Sequence, residues 1–170
     1  MVEVTVSRLG RDSSTNAYVV ILREKGGARL LPIWIGQPEA ESIAMEINQI
    51  KRERPVTHDL CRNIILALGG TLRRVQITKV QKNTYYAELH VASADRIVQI
   101  DARPSDSIAI ALRLSAPIFA QESLLSSADD DGDEEGAPPT RTPNGEELDA
   151  EQLKEHLEKL RPEDFGKFNL

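Results

Sequence analysis

The chain has 170 residues, 40% of them hydrophobic, which suits one domain with an appendage and leaves no room for two full domains. Its single cysteine, Cys61, excludes an intramolecular disulfide, and no basic-then-apolar leader or run of membrane length is seen, so a cytoplasmic protein with no membrane span is expected. The net charge of -6 hides a segregation: residues 1–125 carry 16 Lys and Arg against 13 Asp and Glu, a balance of +3, whereas residues 126–170 carry 5 against 14, a balance of -9, so the body tolerates a phosphate-bearing partner and the tail argues against wholesale coating of nucleic acid.

Val2 to Leu9, Tyr18 to Arg23 and Ala28 to Ile35 are rich in Val, Ile and Leu and are separated by turn-like stretches, which predicts three strands. Gly36 breaks the pattern and Pro38 suits a first helical turn. Ala40, Ile43, Ala44 and Ile47 then recur at helical spacing, so residues 37–50 read as a helix. After the charged loop from Lys51 to Val56, Thr57 can cap a second helix with a Leu60, Ile64 and Leu68 stripe that ends at Gly69-Gly70. Leu72 to Val80, Tyr85 to Val91 and Arg96 to Asp101 read as three further strands. Ser105 to Leu114 reads as a third helix, apolar nearly all round and therefore buried on most sides.

The two halves share one order of elements, and an offset of 65 residues lays Glu41-Ser-Ile-Ala44 on Asp106-Ser-Ile-Ala109. The expected fold is therefore α/β of the α+β type: an internally duplicated β-β-β-α unit with residues 58–68 as connecting helix, and two sheets packed with helices. The expected organisation is a domain over 1–125, an acidic disordered linker over 126–146 containing Asp129 to Glu135, and a C-terminal helical extension over 147–170. In that extension Leu148, Leu153, Leu157 and Leu160 make a narrow stripe, and a helix so short should dock on something or fray, with a protein partner as one candidate. Strand residues with two apolar faces, such as Leu30 to Ile35, predict a homo-oligomer.

The chemistry-bearing segment is Asp101-Ala-Arg-Pro-Ser-Asp106, at a strand end and a helix start, where free N–H groups receive an oxyanion. Arg103 and Ser105 could grip a phosphate, while Asp101 and Asp106 supply the hard oxygens that Mg²⁺ or Mn²⁺ prefers. A plainer reading stays open, with Ser105 as helix cap, Asp106 on the helix dipole and Arg103 paired with Asp101. The counterpart segment places Glu39 and Glu41 in the first turn of the other helix, and either could complete a metal site begun by Asp101 and Asp106. His58 and Asp59 open the middle helix just after Arg52 and Arg54, a combination suited to phosphodiester cleavage, with an ordinary solvated helix turn as the alternative. His90 and His156 earn no role, and with 4% aromatics base stacking should not dominate any nucleic-acid contact. The sequence holds no phosphate-cradling glycine loop, dinucleotide fingerprint, paired-cysteine zinc spacing or Gly-x-Ser-x-Gly elbow.

Leu31-Pro-Ile-Trp-Ile-Gly36 with Glu39-Ala40, Arg54-Pro-Val-Thr-His-Asp-Leu60 and Ile100-Asp-Ala-Arg-Pro-Ser-Asp-Ser-Ile-Ala109 together resemble the bifunctional nuclease family over about residues 1–125. The tail from Leu153 to Phe165 is similar to the extension of some bacterial members. The resemblance implies hydrolysis of DNA and RNA phosphodiester bonds, with nucleic acid as substrate; the hard oxygens of Asp101, Asp106 and Glu39 add the expectation of a divalent metal, Mg²⁺ or Mn²⁺, as cofactor. The resemblance carries over the motif positions Glu39, His58, Asp59, Asp101, Arg103, Ser105 and Asp106; on their own chemistry Glu39, Asp101 and Asp106 are expected as metal ligands, Arg54, Arg103 and Ser105 as substrate contacts, and His58, Asp59, Asp101, Arg103 and Asp106 as catalytic groups. The alternative is a non-catalytic scaffold in which the same helix starts hold an anion or partner.

Overall fold

The computed structural model describes residues 1–11, 17–94 and 96–127, together with the backbone of 140–141 and 147–148. β1 (Val2–Arg11), β2 (Tyr18–Glu24) and β3 (Leu30–Ile35) form an antiparallel meander followed by α1 (Gln37–Ile47). α2 (Thr57–Ala67) then connects to a second meander, β4 (Thr71–Gln81), β5 (Thr84–Ser93) and β6 (Arg96–Ala102), followed by α3 (Pro104–Leu114). The β-β-β-α order thus occurs twice, as the duplication predicts.

The element not foreseen is β7 (Ile118–Ala120), three residues that carry no periodic signal of their own. It pairs antiparallel with β1, Val4 opposite Ile118, and parallel with β4, Val75 opposite Ile118. The two expected sheets are consequently the halves of one seven-stranded sheet, ordered β3-β2-β1-β7-β4-β5-β6. Beyond β7, a 3-10 turn spans Glu122–Leu124, and Ser126 bridges Leu30 on the outer side of β3. That edge strand also tolerates Pro32, which a central strand would not.

The core runs through both halves: Val20, Leu22, Leu31 and Ile43 of the first pack in one cluster with Val75, Ile77, Ala87 and Ile108 of the second. Both apolar faces of β3 are covered within one chain, Leu31, Pro32 and Ile33 all being buried. α3 buries Pro104, Ser105 and the run Ser107 to Ala111, so its nearly uniform apolarity is spent on burial from most directions. α1 and α3 pack against each other, and α2 packs against α3.

α2 is the element whose orientation differs from its sequence reading. Its core contacts come from His58, Cys61 and Ile65, while Leu60, Ile64 and Leu68 face outward. The helix ends at Gly69, whose φ of 70° is left-handed, and Gly70, whose N–H donates to the Ile65 carbonyl at 2.8 Å. A Cβ at Gly70 would lie 2.9 Å from that same backbone oxygen, so only glycine turns the chain this sharply into β4.

Of the residues assigned to linker and C-terminal helix, the described backbone pairs β8 (Thr140–Arg141) antiparallel with β9 (Glu147–Leu148). The rest of the acidic linker and the leucine stripe from Leu153 onward lie outside the described residues. No described helix is long and apolar enough to cross a membrane.

Candidate functional site

α1, α2 and α3 each contribute their polar residues to one place. The starts of α1 and α3 are alike: an extended N-cap, Gly36 or Arg103, a proline in the first turn, and an acidic residue, Glu39 or Asp106, at the third helical position. Neither N-cap residue offers a side-chain acceptor to the first-turn N–H groups, which are compensated by those carboxylates through the helix dipole. Ser105 is not the N-cap. It is the second residue of α3 and is buried, because Pro104 supplies the φ that starts the helix one turn position earlier. Thr57 likewise lies inside α2; its N-cap is Val56, whose N–H donates to the Asp59 carboxylate at 3.1 Å.

At the centre stands His58, buried at 8% exposure. Its Nδ1 lies 2.7 Å from Ser42 Oγ on α1, and its Nε2 lies 3.0 Å from Asp106 Oδ1 on α3. An ionised Asp106 only accepts, so Nε2 carries a hydrogen and donates to it. With Nε2–H donating to Asp106, the Ser42 hydroxyl donates to Nδ1 of the neutral ring, so both ring nitrogens have a partner. Arg103 grips the far side of Asp106, Nε donating to Oδ2 at 2.7 Å and Nη2 to Oδ1 at 3.1 Å, and the same Nη2 pairs with Glu39 Oε1 at 2.8 Å. Its side chain is 67% exposed, against 27% for Asp106 and 15% for Glu39, which makes Arg103 the part of the cluster most open to solvent. Burial alone would raise the Asp106 pKa, but the hydrogen bonds and charges of Arg103 and His58 outweigh it and hold the carboxyl below its ordinary range. Asp106 in turn is the main cause of a raised Arg103 pKa.

A second, structural pair lies beside the first. Arg113, with its side chain 3% exposed, donates from Nε to Asp59 Oδ1 at 2.6 Å and from Nη2 to the Ser42 carbonyl at 3.2 Å, which ties α3 to the start of α2 and the middle of α1. Burial raises and the Arg113 bond lowers the Asp59 pKa, and the net direction is down. Adjacent in sequence, His58 and Asp59 therefore serve different partners.

The residues expected at the site divide accordingly. Glu39, His58, Arg103 and Asp106 come together, with buried Ser105 in the same first turn of α3. Asp59 joins the neighbouring pair. Asp101 stays on β6, exposed and opposite Glu88, with no side-chain bond to the cluster, and Arg103 pairs with Asp106 and Glu39 in place of it. Arg54 is exposed in the loop before α2. Glu41 is engaged by Gln37 at 2.8 Å. As arranged, the three-carboxylate set of Glu39, Asp101 and Asp106 does not fit a metal: Arg103 Nη2 occupies the place between Glu39 and Asp106, Asp101 is elsewhere, and among the described residues no three His, Cys, Asp or Glu side chains group to hold an ion. Ser42 and Arg113 are the site residues the sequence reading missed. Their signal was available, since Arg113 is the lone cation of α3, following the apolar run Ile108 to Leu112, and Ser42 is a hydroxyl beside Ile43 and Ala44.

The family model described as bifunctional nuclease domain matches residues 20–131. A Mycobacterium tuberculosis (strain H37Rv) protein named only as uncharacterized is 43% identical over 169 residues, covering 97% of this chain and 98% of its own length. The chain is also 29% identical over 111 residues to bifunctional nuclease 1 of Oryza sativa subsp. indica, and 28% identical over 116 residues to bifunctional nuclease 1 of Arabidopsis thaliana. Those matches cover 64% and 66% of this chain but only 34% and 36% of the plant proteins, about a third of their length.

Proposed function

The chain belongs to the bifunctional nuclease domain family, and from that membership and the geometry of the site we propose that it hydrolyses phosphodiester bonds of DNA or RNA. The observation that carries the reading is a solvent-reaching arginine held by two carboxylates, one of which is itself held by a buried histidine. Arg103 matches a phosphate as a bidentate fork and can exchange its carboxylate partners for one. Once Arg103 turns to the phosphate, Asp106 Oδ2 is free to accept a hydrogen bond from the attacking water, while His58 Nε2–H holds Oδ1 and fixes the carboxylate's orientation. Ser42 fixes the ring in turn, so the three residues act as one positioned acid-base unit. The first turn of α3 supplies N–H groups toward charge on the phosphate. No step is assigned to a metal.

The test is cleavage of fluorogenic single-stranded DNA and RNA by the full chain with Mg²⁺, with Mn²⁺ and with chelator. Arg103→Ala and Asp106→Ala, compared at equal folding, should each lower the rate by about tenfold or more in every arm where the parent cleaves. Cleavage confined to the metal arms would mean that a cation displaces Arg103 from between Glu39 and Asp106. Undiminished cleavage by both variants would refute the site.

A second reading, an anion-binding module without catalysis, is favoured by one feature: Glu39 and Asp106 are paired with Arg103, and Asp106, His58 and Ser42 with one another, leaving Arg103, at 67% side-chain exposure against 27% for Asp106, as the group most open to solvent. Saturable binding of an oligonucleotide that vanishes in Arg103→Ala, with no cleavage under any metal condition, would select it.

A further inference from the structure

The two edges of the seven-stranded sheet are finished differently. β3, at one end, has four of its six residues buried, carries Pro32, and is closed by Leu30 and Ser126, which exchange two backbone hydrogen bonds of 2.9 Å. β6, at the other end, has five of its seven residues exposed and none buried, and among the described residues nothing pairs with its outer edge. The helices pack mainly on β2, β4 and β5, so Ile97 and Ile100 of β6 stand 62% and 42% exposed. Between Arg96 and Asp101 the strand has no charge, no proline and no bulge, the devices that ordinarily protect a sheet edge from pairing.

The residue pattern of β6 matches itself. Val98 and Ile100 lie opposite Val91 and Leu89 of β5 on the core side, and Ile97, Gln99 and Asp101 take the other face. A second copy running antiparallel, related by a two-fold axis through Gln99 and perpendicular to the sheet, keeps each face on its own side. Val98 of each copy then stands opposite Ile100 of the other, which carries the apolar row of β5 and β6 across the axis. Gln99 meets Gln99, and an amide that both donates and accepts can satisfy its own copy. Arg96 falls opposite Ala102, and Asp101 opposite Ile97, so no like charges meet. The closed β3 edge offers no place for a third chain, so association stops at two.

We infer that the chain forms a two-fold dimer through β6, antiparallel to β6 of a second copy, which joins the two sheets into one. Arg103 directly follows β6 in the chain, so the sites of the two copies face the same side of the joined sheet.

Sedimentation equilibrium of the full chain tests the joint through a charge placed at Ile97, an exposed position that leaves the core intact. The parent should sediment at twice the chain mass. Ile97→Asp sets a carboxylate against Asp101 of the other copy on both sides of the axis and should raise the dissociation constant at least about tenfold, with unchanged far-ultraviolet circular dichroism. Ile97→Lys, equally polar but opposite in sign, faces the same aspartate and should keep the dimer. A parent that stays monomeric at every concentration overturns the inference, as does a dimer that withstands Ile97→Asp. Equal loss of the dimer in the aspartate and lysine variants overturns the Gln99-centred register. A dimer broken by Ile64→Asp and not by Ile97→Asp gives the interface to α2 and overturns the inference as well.

Discussion

Ser42 and Ser107 hold matching places in the repeated Ser-Ile-Ala triplet, and both are buried, yet only Ser42 Oγ has a hydrogen-bond partner. Their alanine variants should therefore differ in sign. Ser42→Ala strands Nδ1 of a buried imidazole and should lower stability by about 1–2 kcal/mol, whereas Ser107→Ala removes an unsatisfied hydroxyl and should be neutral or stabilising by up to about 1 kcal/mol. Urea unfolding of the two variants at neutral pH measures both. Arg103→Ala, by contrast, breaks an ion pair whose arginine is largely solvated, and should cost under about 1 kcal/mol while removing the phosphate grip. Arg103→Lys should not restore cleavage, since an ammonium lacks the planar fork. The identities of Glu39, His58, Arg103 and Asp106 were readable from one sequence because helix starts rich in acid and proline are recognisable. Their partners were not, because the bonds join residues 16 and 48 positions apart, and nothing local distinguishes Asp101, left on β6, from Asp106.

At the scale of elements, the helices depend on two features that a composition count cannot weigh. Gly70→Ala forces a methyl against the Ile65 carbonyl of α2 and should destabilise by about 1–3 kcal/mol, visible as a drop in melting temperature. Arg113→Met removes the buried cation that ties three helices together and should cost about 2 kcal/mol, less than the ~3–5 of a wholly buried pair because Asp59 keeps access to water. The strands and helices themselves were legible from period and punctuation, most bounds lying within two residues of the structure. The buried side of α2 was not. Its Leu60, Ile64 and Leu68 make the stronger stripe on paper, yet His58, Cys61 and Ile65 make the contact, since hydrogen bonding of His58 to α1 and α3 fixes the rotation of the helix. β7 escaped as well, being a strand by virtue of its two neighbours and not of its own three residues.

For the whole molecule, the depressed carboxyl pKa values of Asp59 and Asp106 set the pH response. A carboxyl that is more acidic folded than unfolded stabilises fully above its unfolded pKa, and that contribution is lost as pH falls through the folded value. Stability should accordingly be level near neutrality, decline from roughly pH 5 downward, and decline less steeply in Arg113→Met, where Asp59 loses the arginine that lowers its pKa. Joining the halves through β7 gives one sheet and one core, so unfolding by heat and by acid should each be a single transition. The central claim is that Asp106, positioned by His58 and compensated by Arg103, orients the water that attacks a phosphodiester. Single-turnover cleavage of an end-labelled oligonucleotide by the parent chain and by Asp106→Asn, matched in melting temperature, tests it most directly. The rate should be at least about a hundredfold lower in the variant; equal rates in the two proteins would overturn that role for Asp106.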